Sequence, residues 1–127
     1  MSYSQPDRRA YAFGSHDFGA GGESLSVKGP AGKKGKLIDI CVSATETFNA
    51  VTTEGFVNVG TGADPDAYAS FGLGTLADTD SALASTVSGD IIDPDIPADT
   101  QVEVTFVAPT GGTPAGIGYV NLWIDWF

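Results

Sequence analysis

Few side chains in this chain could do chemistry: one histidine, one cysteine and sixteen acids. His16 stands beside Asp17, the one His–acid neighbour pair. A Ser-His-Asp triad needs three groups delivered from separate positions, plus an oxyanion hole. The G-x-S-x-G elbow that presents a nucleophilic serine does not occur. Cys41 lies in an alternating apolar run, on the side opposite Ile38, Ile40 and Val42, which is the setting of an inert, half-buried thiol. One histidine and one cysteine cannot build a Cys/His zinc site within one chain. The acids gather as Asp64/Asp66, Asp78/Asp80 and Asp90/Asp93/Asp95/Asp99. Alternating aspartates can ligate Ca²⁺, but none of these has the spacing of an EF-hand loop. In Asp-Pro and Asp-x-Asp turns such residues ordinarily cap backbone N–H groups. Glycoside hydrolysis needs two carboxylates facing each other across a cleft, and no spacing here pairs them so. No catalytic residue, cofactor-binding residue or metal ligand is therefore assigned, and the expectation is a protein that is not an enzyme and holds no cofactor.

The cations are more informative. All six Lys/Arg residues (Arg8, Arg9, Lys28, Lys33, Lys34 and Lys36) lie in the first 36 positions. With three acids there, that stretch is net +3. Residues 37–127 carry thirteen acids and no base, which brings the chain to −10. The asymmetry suggests a basic N-terminal stretch that grips a partner and an acidic body that faces solvent. An acidic body is repelled by nucleic acid and by anionic membranes, so neither is expected as a partner. Gly29, Gly32 and Gly35 alternate with Lys33, Lys34 and Lys36, but the P-loop pattern is absent and three glycines cannot support a collagen helix. Lys28–Lys36 reads as a mobile basic loop, either docking on an acidic protein surface or simply solvated.

These residues need a scaffold, and the pattern is that of a β protein. A chain of 127 residues is one domain of ordinary size. Residues 1–21 read as an N-terminal arm, with Tyr11, Phe13 and Phe18 as a first strand or an aromatic anchor. Residues 22–127 read as a single β-sandwich domain. Leu25 and Val27 alternate with serines. Leu37–Ala44 places Ile38, Ile40, Val42 and Ala44 on one face. Gly55–Gly60 turns Val57 and Val59 inward, Tyr68–Leu73 is a further strand, and Gln101–Ala108 alternates Val102, Val104 and Phe106 with polar residues. Leu76–Val87 is the one stretch that reads as a helix. Ile117–Phe127 closes the chain and is expected to pair with the strand before it across the Pro109–Gly116 loop. Seven or eight short strands with turn signals between them make an all-β, antiparallel β-sandwich, most simply a jelly roll with an extended N-terminal arm. One cysteine excludes an internal disulfide, the first residues lack the apolar stretch of a secretory signal, and no apolar run is long enough to span a membrane.

The last strand has two apolar faces. Val120, Leu122, Ile124 and Trp126 take one, and Tyr119, Trp123 and Phe127 take the other. If the first packs inside the sandwich, the second needs another cover. A neighbouring subunit would suit Trp and Tyr. A stacked sugar would also serve, as would Tyr11, Phe13 and Phe18 folding over a central strand. The first option makes Tyr119, Trp123 and Phe127 the self-association residues, and the cations at positions 8, 9, 28, 33, 34 and 36 the contacts to a larger partner.

Several phrases resemble one family. Val27-Lys-Gly-Pro-Ala-Gly-Lys-Lys-Gly-Lys-Leu-Ile-Asp-Ile40, Thr45-Glu-Thr-Phe48, Val57-Asn-Val-Gly60 and Asp64-Pro-Asp-Ala-Tyr-Ala69 look like small virion proteins of tailed bacteriophages. Ile96-Pro-Ala-Asp-Thr100, Val104–Gly116 and Trp123-Ile-Asp-Trp-Phe127 continue the likeness, which covers most of residues 22–127. The resemblance implies a head decoration (capsid cement) protein made in the host cytoplasm and carried on the outer capsid surface. It also implies a β-rich fold and a homo-oligomer, as a trimer at three-fold or quasi-three-fold sites. There such a protein clamps neighbouring capsomers of the major capsid protein against the pressure of packaged DNA. The alternative reading is a carbohydrate-binding β-sandwich module of a phage fibre or a secreted protein.

Overall fold

The computed structural model describes residues 7–49 and 52–127. Nine strands run in chain order: β1 (Asp7–Asp17), β2 (Glu23–Lys28), β3 (Gly35–Asn49), β4 (Phe56–Gly60), β5 (Ala69–Gly72), β6 (Ser81–Leu83), β7 (Asp95–Ile96), β8 (Gln101–Val107) and β9 (Ala115–Trp126). They form two antiparallel sheets. Sheet A has the order β1-β9-β3-β6, with β7 also paired to β3, and sheet B has the order β2-β8-β4-β5. The pairing is nested: β1 with β9, β2 with β8, β3 with β7, and β4 with β5. A long antiparallel ribbon, turned back on itself between β4 and β5 and then rolled, gives that order. This is the jelly roll.

The core is the set of inward positions that the alternation marked. Val57, Val59, Val102, Val104, Leu122 and Ile124 are fully buried, and Phe106, Val120 and Trp126 nearly so. At the end where β1 meets β2, Phe18 packs on Phe48 and Phe106, with ring centroids 5.2 and 5.5 Å apart. Bulges adjust the alternation. In β3 the register with β9 slips between Leu37 and Asp39, so Leu37 and Ile40 face the core while Ile38 is only half-buried. In β1 it slips between Ala12 and Ser15, where Gly14 takes φ +77°, a value that favours glycine. The extra residue there lets Tyr11, Phe13 and His16 all turn toward the interior.

Four expectations need correction. Residues 7–17, read as part of an N-terminal arm with a first strand or an aromatic anchor around Tyr11, are one paired strand from Asp7 onward at the edge of sheet A, because their backbone N–H and C=O groups continue the β9 ladder; residues 1–6 lie outside the described set. Leu76–Val87 is not a helix. Ser81–Leu83 is a strand and Ala84–Thr86 a single 3₁₀ turn, since the segment closes the open edge of β3. β8 and β9 do not pair, because the Pro109–Gly116 loop carries the chain from sheet B to sheet A. The basic loop is an anchored turn. Lys33 N–H donates to Pro30 C=O (3.2 Å), Gly32 N–H to the Asp99 carboxylate (2.8 Å), and Lys34 and Phe127 exchange two backbone hydrogen bonds of 2.9 Å.

Candidate assembly surfaces

The two outer faces of the sandwich differ in chemistry. Sheet B turns Ser24, Ser26, Gln101, Glu103, Thr105, Asn58 and Ser70 outward, with the half-buried Phe56–Val107 pair at its distal end. Sheet A shows Ala10 and Ala12 from β1, Tyr119, Asn121 and Trp123 from β9, Cys41 and Ser43 from β3, and Leu83 from β6. Tyr119 is 49% exposed and Trp123 half-buried. They sit four residues apart on one face, about 13 Å at the usual rise of an extended chain. Leu83 and Val87 add exposed apolar surface along the β6 margin, and Ile92 adds more beside β5. Sequence reading missed this margin because it treated Leu83 and Val87 as a helix face.

β9 is central in sheet A, between β1 and β3, yet its outer aromatics are not covered by the N-terminal ones. Tyr11 and Phe13 turn the other way. The Trp126 indole Nε1–H donates to Tyr11 Oη at 2.8 Å, and Phe13 stands edge-on to Phe106 at 6.1 Å. They close the gap between the sheets and leave Tyr119 and Trp123 free for another occupant. Phe127 stands apart from those two. It lies at the end of β9, 48% exposed, over an open depression of about 460 Å³ lined also by Lys34, Gly35, Asp95, Ile96 and Pro97.

The antiparallel ladders bring all six cations to one end. Arg8 pairs in register with Asp125, Lys28 with Gln101, and Lys36 with Asp125 and Asp95; Lys33 and Lys34 project from the turn between β2 and β3. This proximal end also holds Asp7 and Phe127. The distal end, where Asp17 meets Ile117 and Glu23 meets Phe106, carries Glu46, Glu54, Asp78 and Asp80 and no Lys or Arg.

The cations are not equivalent. Arg8 binds Asp125 through two hydrogen bonds, of 2.7 and 3.1 Å. That bond chiefly, helped by the charges of Arg8 and Lys36, holds the Asp125 carboxyl below its ordinary range against a smaller opposing push from burial. Arg9 binds Asp7 at 2.9 Å. None of the four lysines, Lys28, Lys33, Lys34 or Lys36, forms an ion pair within 4 Å among the described residues.

The residues weighed for chemistry are placed in structural roles. His16 Nε2 lies 2.9 Å from Gly21 C=O and Nδ1 3.2 Å from Glu23, and the ring packs against Phe18 and Phe106. Asp17 caps Gly19 N–H at 3.0 Å. Cys41 is half-buried on the outer face of sheet A. The Asp64 carboxyl is pushed up mainly by a hydrogen bond with Asp66, and that of Asp90 by burial. Among the described residues no three His, Cys, Asp or Glu side chains converge as a metal cage.

No protein-family model matches the chain, and no characterised protein matches it in sequence. The fold is similar to that of a chain in the cyanophage Pam1 capsid asymmetric unit, at a TM-score of 0.52 and 14% identity, covering 100% of this chain and 92% of that one. The two chains share a fold. At this identity the likeness carries architecture, while function must be argued from surfaces.

Proposed function

We propose that this chain is a non-catalytic structural virion protein that decorates the outer surface of a bacteriophage capsid and bridges capsomers of the major capsid protein. In this reading it assembles as a trimer at three-fold sites. The observation that carries the proposal is the full-length fold likeness to a capsid chain, joined to an outer face of sheet A that exposes aromatic side chains. Tyr119, Trp123 and the Leu83 margin supply the self-association surface, while Phe127 stands apart over the depression at the cationic end. Aromatic, solvent-exposed side chains on a rigid sheet bury large area at small entropic cost. A three-fold ring needs a closed, heterologous contact, and an apolar face beside an apolar margin offers the two unlike patches it requires. The cationic end (Arg8, Arg9, Lys28, Lys33, Lys34, Lys36) faces the shell, and the acidic distal end points outward, where like charge resists particle aggregation.

Reconstruction of the particle tests this directly, with density for this chain expected over three-fold positions. Light scattering on the purified chain should give three times the monomer mass. A monomeric chain absent from the particle overturns the proposal. A second reading, a carbohydrate-binding module, is favoured by one feature: Tyr119 and Trp123 share one face of β9 with Asn121 between them. Binding on a glycan array by a monomer would select it.

A further inference from the structure

We propose that contact with the shell is made by the turn between β2 and β3, through Lys28, Lys33 and Lys34, together with the depression beside it, and that the two arginines take no part. The occupant is an acidic protein segment that sets carboxylates on the lysines and one apolar side chain into the depression. This deepens the capsid-decoration reading and rests on it.

Charge leaves little choice of site. The chain is net −10, so an acidic partner is repelled by most of its surface. The cations that could offset this differ in their commitments. Arg8 is held by Asp125 and Arg9 by Asp7, both within the chain. Lys36 forms no ion pair within 4 Å, but it lies across the ladders from Asp125 on one side and Asp95 on the other, and its charge acts on Asp125, so nearby acids of its own sheet offset it in part. Lys28, Lys33 and Lys34 remain, on the limbs of one short turn. Among the described residues the acid hydrogen-bonded to that turn is Asp99, which accepts Gly32 N–H at 2.8 Å, while Asp95 and Lys34 both line the depression beside it.

The turn is also rigidly placed. Gly29 and Gly35 pack against the Trp126 indole, where a Cβ at either position would lie 2.5 Å from a ring carbon. Lys34 exchanges two backbone hydrogen bonds with Phe127, which ties the lysines to the wall of the depression. Its apolar lining is Ile96, Pro97 and Phe127, and its one acid, Asp95, stands across from Lys36. A pre-ordered cationic turn beside an apolar seat loses little entropy on binding.

The test titrates the purified chain onto heads of the phage that encodes it, stripped of this protein, with co-sedimentation as the readout. Lys28→Ala/Lys33→Ala/Lys34→Ala should weaken binding by about tenfold or more at physiological salt and flatten its salt dependence. Its melting temperature and oligomeric mass should not change. Pro97→Glu, which adds a carboxylate at the mouth of the depression, should weaken binding as well. Arg8→Ala/Arg9→Ala should change it by about twofold or less. If the wild-type chain binds and the triple lysine variant binds equally well, or the arginine variant loses binding while still folded, this inference fails and the capsid reading stands. If the wild-type chain does not bind stripped heads, both fail.

Discussion

Trp126 dictates residue choice on three other segments. Its ring is 1% exposed, its Nε1–H is satisfied by Tyr11 of β1, and its faces leave room for glycine alone at positions 29 and 35. The period-three glycines that suggested a mobile loop are thus partly a packing requirement. Gly29→Ala should lower the unfolding free energy by about 1–3 kcal/mol, the usual cost of overpacking, read from the urea midpoint. Tyr11→Phe should cost about 1–2 kcal/mol, because it leaves a half-buried indole N–H without its acceptor.

Asp125 adds a pH dependence. Its carboxyl titrates below the ordinary carboxylate range, so its bond to Arg8 contributes stability at pH above that range, and the contribution is lost as pH falls through the depressed value. Asp64 and Asp90 are shifted up and act in the opposite sense, since mild acidification relieves the cost of keeping them charged. Hydrogen exchange of the β1 amides separates the two effects. Wild-type protection should drop on strong acidification. Asp125→Asn should show the weaker protection already at neutral pH and little further loss. The change is small, as expected of a solvent-exposed pair.

At the scale of elements, the bulges decided what periodicity could not. A strict two-residue alternation puts Ile38 beside Ile40, whereas the structure buries Leu37 and Ile40 with an extra residue between them. Asp39 makes the irregularity useful. One carboxylate oxygen accepts Ile40 N–H (2.9 Å) and Ser85 N–H (3.0 Å), and the other accepts Ser85 Oγ–H at 2.7 Å. This pins the Ala84–Thr86 turn, and with it β6, to β3. Asp39→Ala should cost about 1–3 kcal/mol and raise hydrogen exchange in residues 81–87 more than in β8. The small, polar, irregular run over 74–89 concealed β6 because the strand is three residues long and lies at an edge, where one partner and no deep burial suffice. The β1 edge was obscured for a related reason. Its outward side chains are charged or small, and its inward ones are interrupted by the Gly14 bulge.

For the whole molecule, the polar sheet B face and the apolar sheet A face predict which variants change assembly without changing stability. Tyr119→Ser with Trp123→Ser should shift the proposed trimer toward monomer in light scattering and leave the melting temperature within a few degrees. These side chains project outward from a strand whose other face holds the core. A large fall in melting temperature with no change in mass would instead make the aromatic pair part of the monomer's own packing.

The inward residues of β4, β8 and β9, those of β3 from Ile40 onward, the all-β class and the confinement of cations to one stretch of chain were legible in the sequence. Burial imposes a period of two on a strand, and charge is a local property of composition. Tertiary structure alone decided the nested ribbon order, the passage of the chain between sheets at Pro109–Gly116, and the direction in which Tyr11 and Phe13 turn. It also separated Arg8, held by Asp125 across the ladder, from the lysines of the β2–β3 turn. Those outcomes depend on which strands lie side by side. Such pairings join residues more than a hundred positions apart, as Arg8 and Asp125 are, and no local pattern records them.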